Sequence, residues 1–178
     1  MPSIKIRFFF VSAIAALGII IGSKIANAQI RNTANDGDSR ATRFGIGLSA
    51  GIPTPNSYKF AYGGDLRLQQ DFTSNVSGLL SAGYNTFSSD LSNFQYIPLK
   101  VGLKVFPVQR FYFSGEIGAG FPTRNGAKTA FVYAPGVGVG TNSGIDIGLR
   151  YEGMTSTAFL DLKNPSQVAV RLAYGFKL

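Results

Sequence analysis

The chain contains no cysteine, no histidine and no tryptophan. Without cysteine there is no disulfide, no thiolate nucleophile and no cysteine-ligated metal. Without histidine the usual general base and the commonest metal ligand are missing, which removes every His-dependent triad or dyad. Charge is sparse, at 15% of residues. The basic side chains are scattered singly, without the clustering that nucleic acid requires. Long apolar runs are lacking too. The stretch from Phe8 to Gly22 has only fifteen residues, short of the roughly 18 expected of a spanning helix.

That run follows Lys5 and Arg7 and ends near Ala26-Asn27-Ala28, ahead of Gln29. This is the layout of a secretory signal peptide, residues 1–28, cut after Ala28. No cysteine follows the small residues, so a lipid-anchored lipoprotein is excluded. Removal of the signal leaves fourteen Lys and Arg against nine Asp and Glu, a net charge of +5. Residues 29–42 are polar and unpatterned and read as a flexible leader. Within them Asp36-Gly37-Asp38-Ser39 faintly resembles a calcium loop, but Gly47 stands where the bidentate acid belongs. Gly45-Ile46-Gly47-Leu48-Ser49-Ala50 fits a nucleotide fingerprint by spacing, yet no helix follows to meet a pyrophosphate. No catalytic residue, cofactor site or metal site is expected.

What the chain has instead is alternation. In Val168–Leu178 every even position is large and apolar, and every odd one is small or charged. Period two over that length means a strand with two chemically different faces. It also matches the roughly 9–11 residues a strand needs to cross a bilayer. About eight such segments recur from 43 to 178. Among the apolar sets are Phe44–Ile52, Phe60–Phe72, Ile97–Val105 and Ile145–Tyr151. Leu79 and Val132 break the pattern by sitting on the polar face, and Pro98 and Pro135 interrupt their strands. Connections alternate between tight turns (73–75, 107–110, 141–144) and longer stretches (87–95, 122–129, 153–167), as outer-membrane barrels alternate periplasmic turns with outer loops.

The expected fold is therefore all-β, an eight-stranded antiparallel up-and-down transmembrane barrel spanning 43–178. A soluble lipocalin-like carrier would show the same alternation with its faces reversed. Glycine concentrated on the polar face suits a crowded lumen, and aromatics at strand ends suit interface girdles. On the inner face the sequence places Lys59, Arg67, Lys100, Lys104, Arg150, Arg171 and Lys177 against Asp65, Asp71, Glu116, Asp146 and Glu152. Charges withdrawn from water must be paired, so a lumen closed by salt bridges is expected. The alternative is a narrow, weakly anion-favouring pore.

Tyr96-Ile97-Pro98-Leu99-Lys100-Val101-Gly102-Leu103-Lys104-Val105-Phe106 and the terminal strand resemble the small outer-membrane β-barrel proteins, the outer membrane protein beta-barrel domain group of OmpA/OmpX-like eight-stranded barrels. The resemblance covers about 43–178. It implies outer-membrane lipids as solvent and insertion by the outer-membrane assembly machinery, which reads an aromatic-rich last strand. Tyr174 and Phe176 match that signal, while Leu178 stands where an aromatic is typical. The resemblance transfers a location and no chemistry; the role expected is structural or surface-interaction, with the loops 87–95, 122–129 and 153–167 facing an extracellular partner. The mature chain is expected to begin at Gln29 in the outer-membrane fraction. N-terminal sequencing after cell fractionation checks this, and a retained Met1 or recovery in the soluble fraction would contradict it.

Overall fold

Apolar residues two apart in sequence fall on one side of an extended chain, whereas a helix would scatter them around its circumference. The computed structural model describes residues 41–54, 58–90, 93–124, 128–141, 143–155 and 165–178. These form β1 (Thr42–Pro53), β2 (Phe60–Asp71), β3 (Val76–Ser88), β4 (Phe94–Val105), β5 (Phe111–Pro122), β6 (Ala130–Gly140), β7 (Ile145–Thr155) and β8 (Ser166–Lys177). The signal peptide and nearly all of the 29–42 leader lie outside the described residues. Thr42, the last residue of that leader, opens β1.

Each strand pairs antiparallel with the next, and β8 pairs back onto β1 to close the barrel. The closing seam runs from Arg43 opposite Lys177 to Pro53 opposite Gln167. The two prolines leave their mark. Pairing of β3 with β4 lapses between Ala82–Leu99 and Asn85–Tyr96, where Pro98 sits. Pairing of β6 with β7 lapses between Tyr133–Gly153 and Gly136–Arg150, around Pro135. A residue without an N–H has nothing to give the ladder there.

Tight turns join β2 to β3, β4 to β5 and β6 to β7 at one end. In the first, the Thr73 hydroxyl accepts the Asn75 and Val76 amides at 3.2 and 3.0 Å. In the third, Gly144 takes φ 94°, a conformation that costs glycine little. At the other end the connections are shorter than the sequence suggested. β3 runs to Ser88, β4 starts at Phe94, β7 continues to Thr155 and β8 starts at Ser166. The inward phase simply carries on: Phe87 and Met154 are buried inside the barrel.

The direction of the faces is decided by exposure. Leu48, Ile52 and Val101 are exposed, whereas Lys100, Glu116 and Arg171 are almost fully buried. That is a soluble protein turned inside out, and it rules out the lipocalin-like alternative. Phe60 with Tyr62, Phe111 with Phe113, and Tyr174 with Phe176 form aromatic pairs near strand ends, at the levels where interface girdles belong. Leu149 is 49% exposed and its neighbour Arg150 only 7%. In single-Cys variants, position 149 should accept a lipid-phase probe and resist a charged thiol reagent, while position 150 should react slowly at best. Leu149→Arg should cost about 2–4 kcal/mol near the midplane. Rapid aqueous labelling at 150 would reverse the assignment of faces.

Candidate functional site: the barrel lumen

Closure of eight strands leaves a bore only wide enough for side chains, so the inward residues must meet one another across it. Asp65, Arg67 and Asp71 enter it from β2, Lys100 and Lys104 from β4, Glu116 from β5, Asp146, Arg150 and Glu152 from β7, and Arg171 from β8. They meet as cross-barrel pairs. Arg67 Nη2 lies 2.5 Å from Glu116 Oε1, Lys100 Nζ 2.5 Å from Glu152 Oε2, and Lys104 Nζ 2.5 Å from Asp146 Oδ2. Arg171 grips Asp65 with a forked geometry, Nε and Nη2 donating at 2.7–2.9 Å, the strongest form of such a pair. At the turn end Arg43 meets Asp71 at 3.2 Å.

Neutral groups fill the remaining lone pairs. Ser81 donates to Glu116 at 2.6 Å, Asn85 to Glu152 at 2.7 Å, and Tyr112 to Asp146 at 2.7 Å; the Tyr96 hydroxyl donates to Glu152 as well. The Lys104 ammonium also sits 3.9 Å from the centroid of the Tyr112 ring, a cation–π contact in a desolvated place. Small residues make this crowding feasible. A Cβ on Gly47 would stand 2.5 Å from Arg171 Nη2, and one on Gly138 would stand 2.5 Å from the Tyr112 hydroxyl.

Two residues that the sequence placed among the luminal charges take no part in the buried ion pairs. Lys59 precedes β2 and is exposed, paired with Asp90 at 2.7 Å. It lies one residue before the strand, where the alternation no longer constrains it. Lys177 is exposed at the turn-end rim, because β8 ends there and no strand continues over it.

Sequence reasoning missed a second layer. At the loop end Ala61, Phe87, Tyr96, Ala130, Val132 and Met154 form a buried apolar cluster, with Tyr58 and Phe94 packed against it. The rings of Phe87 and Tyr96 stack at 6.0 Å between centroids. Its signal was present in the chain, since Val132 already broke the polar face and Phe87 and Met154 follow in phase from Asn85 and Glu152. The turn end is different. There a cavity of 1040 Å³ opens, walled by Arg43, Arg67, Asp71, Lys104, Asp146 and Lys177 among others. Among the described residues no group of three acids gathers as a metal site.

A buried ion-pair bore within an eight-stranded, lipid-faced barrel is the setting in which the comparisons speak. The family described as outer membrane protein beta-barrel domain matches residues 9–176. The chain belongs to that family. Its place is the cell outer membrane. A comparison with curated proteins found no match. The solved structures include Ail, the attachment invasion locus protein of Yersinia pestis, 18% identical, with a TM-score of 0.56 over 78% of this chain and all of that one. Ail in complex with the heparin analogue sucrose octasulfate is similar at 16% identity and 0.53, over 78% and 98%. Neisserial surface protein A is similar at 9% identity and 0.51, over 79% and 100%. At such identities these likenesses carry the fold alone.

The paired charges generate a stability test. Glu152→Ala strands Lys100 and Arg150, and breaking a buried pair from one side costs about 3–5 kcal/mol. Asp90→Ala breaks only the exposed pair with Lys59 and should cost less than about 1 kcal/mol. Urea unfolding followed by heat-modifiable gel mobility measures both; equal losses would mean that the luminal pairs are solvated.

Proposed function

We propose that this barrel is a closed outer-membrane scaffold with a structural or surface-interaction role, its work done by the loops and not by the bore. The observation that carries the reading is the stacking of two unlike layers, cross-barrel ion pairs below and the Phe87–Tyr96–Val132–Met154 cluster above. An ion would have to break the first and wet the second. The reading is non-enzymatic: each luminal carboxylate is engaged by a cation, leaving none free to act as a base. The signal peptide cut after Ala28, the 29–42 leader and delivery to the assembly machinery through the Tyr174–Phe176 strand belong to the same proposal.

The loops suggest the chemistry of a partner. Among the described residues the connections at the loop end carry Lys59, Arg124 and Lys128 against Asp90, an excess of positive charge. Ail, of the same fold, has been seen with a sulfated heparin analogue. An anionic extracellular polymer is the partner class this supports. The competing reading is a weakly anion-favouring pore, which the basic walls of the turn-end cavity favour.

One pair of measurements separates them. In planar bilayers the purified barrel should give conductance at baseline, and in nanodiscs it should bind a sulfated polysaccharide in a salt-sensitive manner. A Lys59, Arg124 and Lys128 triple alanine variant should lose that binding while folding normally. Steady single-channel currents from the wild type would overturn the closed lumen. Unchanged binding by the triple variant would remove the loops from the interaction.

A further inference from the structure

Two features at the turn end lower stability where the fold does not require it. The first is a turn. Arg110, immediately before β5, takes φ 74°, in the left-handed region that penalises a side chain. Gly144, immediately before β7, holds the matching place in the next turn at φ 94°. The backbone task is the same in both. The Arg110 carbonyl accepts the Gly140 amide at 2.7 Å, and the Gly144 carbonyl accepts the Gly175 amide at 2.8 Å. A glycine at 110 would serve the turn at least as well, so the arginine side chain answers to something else. It is exposed and forms no ion pair among the described residues. The second feature lies on the closing seam, where Arg43 and Lys177 stand directly opposite each other. Like charges opposed across a strand pair are destabilising. Arg43 is met by Asp71 at 3.2 Å, whereas Lys177 is exposed and has no carboxylate partner among the described residues.

Both features face one space. Arg110 and Lys177 line the 1040 Å³ cavity, which opens between the three turns. Its walls farthest from the mouth, Arg67 and Lys104, are matched by Glu116 and Asp146. The cavity is thus a vestibule with a neutralised floor, and its free positive charge sits at the mouth. We propose that this vestibule binds a soluble organic anion carrying two or more phosphate or carboxylate groups, held by Arg110 and Lys177. A guanidinium fork matches a phosphate or carboxylate in two hydrogen bonds, and an ammonium adds a second point of charge. The volume stands at the upper end of the roughly 300–1,000 Å³ usual for small-molecule sites, well beyond a single inorganic ion. The mouth gives onto water at the turn end, the periplasmic side in bacterial barrels, and its cations are exposed, so binding weakens with salt. The inference is independent of what the loops bind at the other end, and it requires no passage through the bore.

In phosphatidylcholine nanodiscs, titration with citrate or tripolyphosphate should shift the amide resonances of Arg110, Gly144 and Lys177 saturably and in a salt-sensitive manner. Loop-end amides such as Ser88 and Gln95 should stay in place, and acetate, with its single charge, should not saturate over the same range. Arg110→Gly should weaken citrate binding about tenfold while the unfolding midpoint stays level or rises. An arginine with only an architectural role would give the reverse, a lower midpoint and unchanged binding. Lys177→Gln should weaken binding further. Phosphatidylglycerol added to the disc should leave citrate binding unchanged. Competition by that lipid would make a headgroup the occupant and overturn the soluble ligand, and a wild type without any saturable shift would overturn the site.

Discussion

Hydrocarbon offers a peptide group no hydrogen-bond partner, so a sheet that lives in it must leave no edge. The seam between β1 and β8 answers that requirement, and the rest of the molecule follows from it. Closing the sheet fixes the bore and turns every second side chain into it. It also commits the other side chains to lipid. A shift of one residue at any seam would exchange the two sets along a whole strand, sending Arg171 or Glu152 into the bilayer.

Within the bore, charge is tolerated because it is compensated at short range and in number. Arg67 on β2 and Lys100 and Lys104 on β4 reach across the bore to Glu116 on β5 and to Glu152 and Asp146 on β7. Pairs that bridge opposite walls tie together strands that share no backbone ladder. Tyr96 and Tyr112 contribute hydroxyls to carboxylates that would otherwise keep unfilled lone pairs. Both are aromatic residues which, judged by hydrophobicity alone, would be sent outward. The apolar layer at the loop end then separates this polar column from the outer solvent.

Much of this was legible from period two alone. The strand count, the lipid and lumen faces and the inward placement of Asp65, Arg67, Glu116, Arg150 and Arg171 follow from counting alternate residues. Which acid meets which base does not, because partners on different strands are set by the stagger of the closed sheet. Lys59 and Lys177 show the limit at strand ends, where the alternation stops constraining direction. Phe87, Tyr96 and Met154 show another. Phe87 and Met154 read as the beginnings of loops and Tyr96 as part of a strand motif, and only the closed geometry brings the three together with Val132.

The cross-barrel pairs also bear on how the molecule is assembled. Asp65 on β2 has its forked partner on β8, and Lys100 on β4 has its partner on β7. An incomplete sheet, or one joined out of register, keeps these charges uncompensated in a medium that penalises them heavily. The share carried by Arg171, forked onto Asp65 and 3.6 Å from Asp146, arrives only when the last strand is seated. The lumen is in this sense a built-in proofreader: part of its stability is reserved for the correctly sealed cylinder.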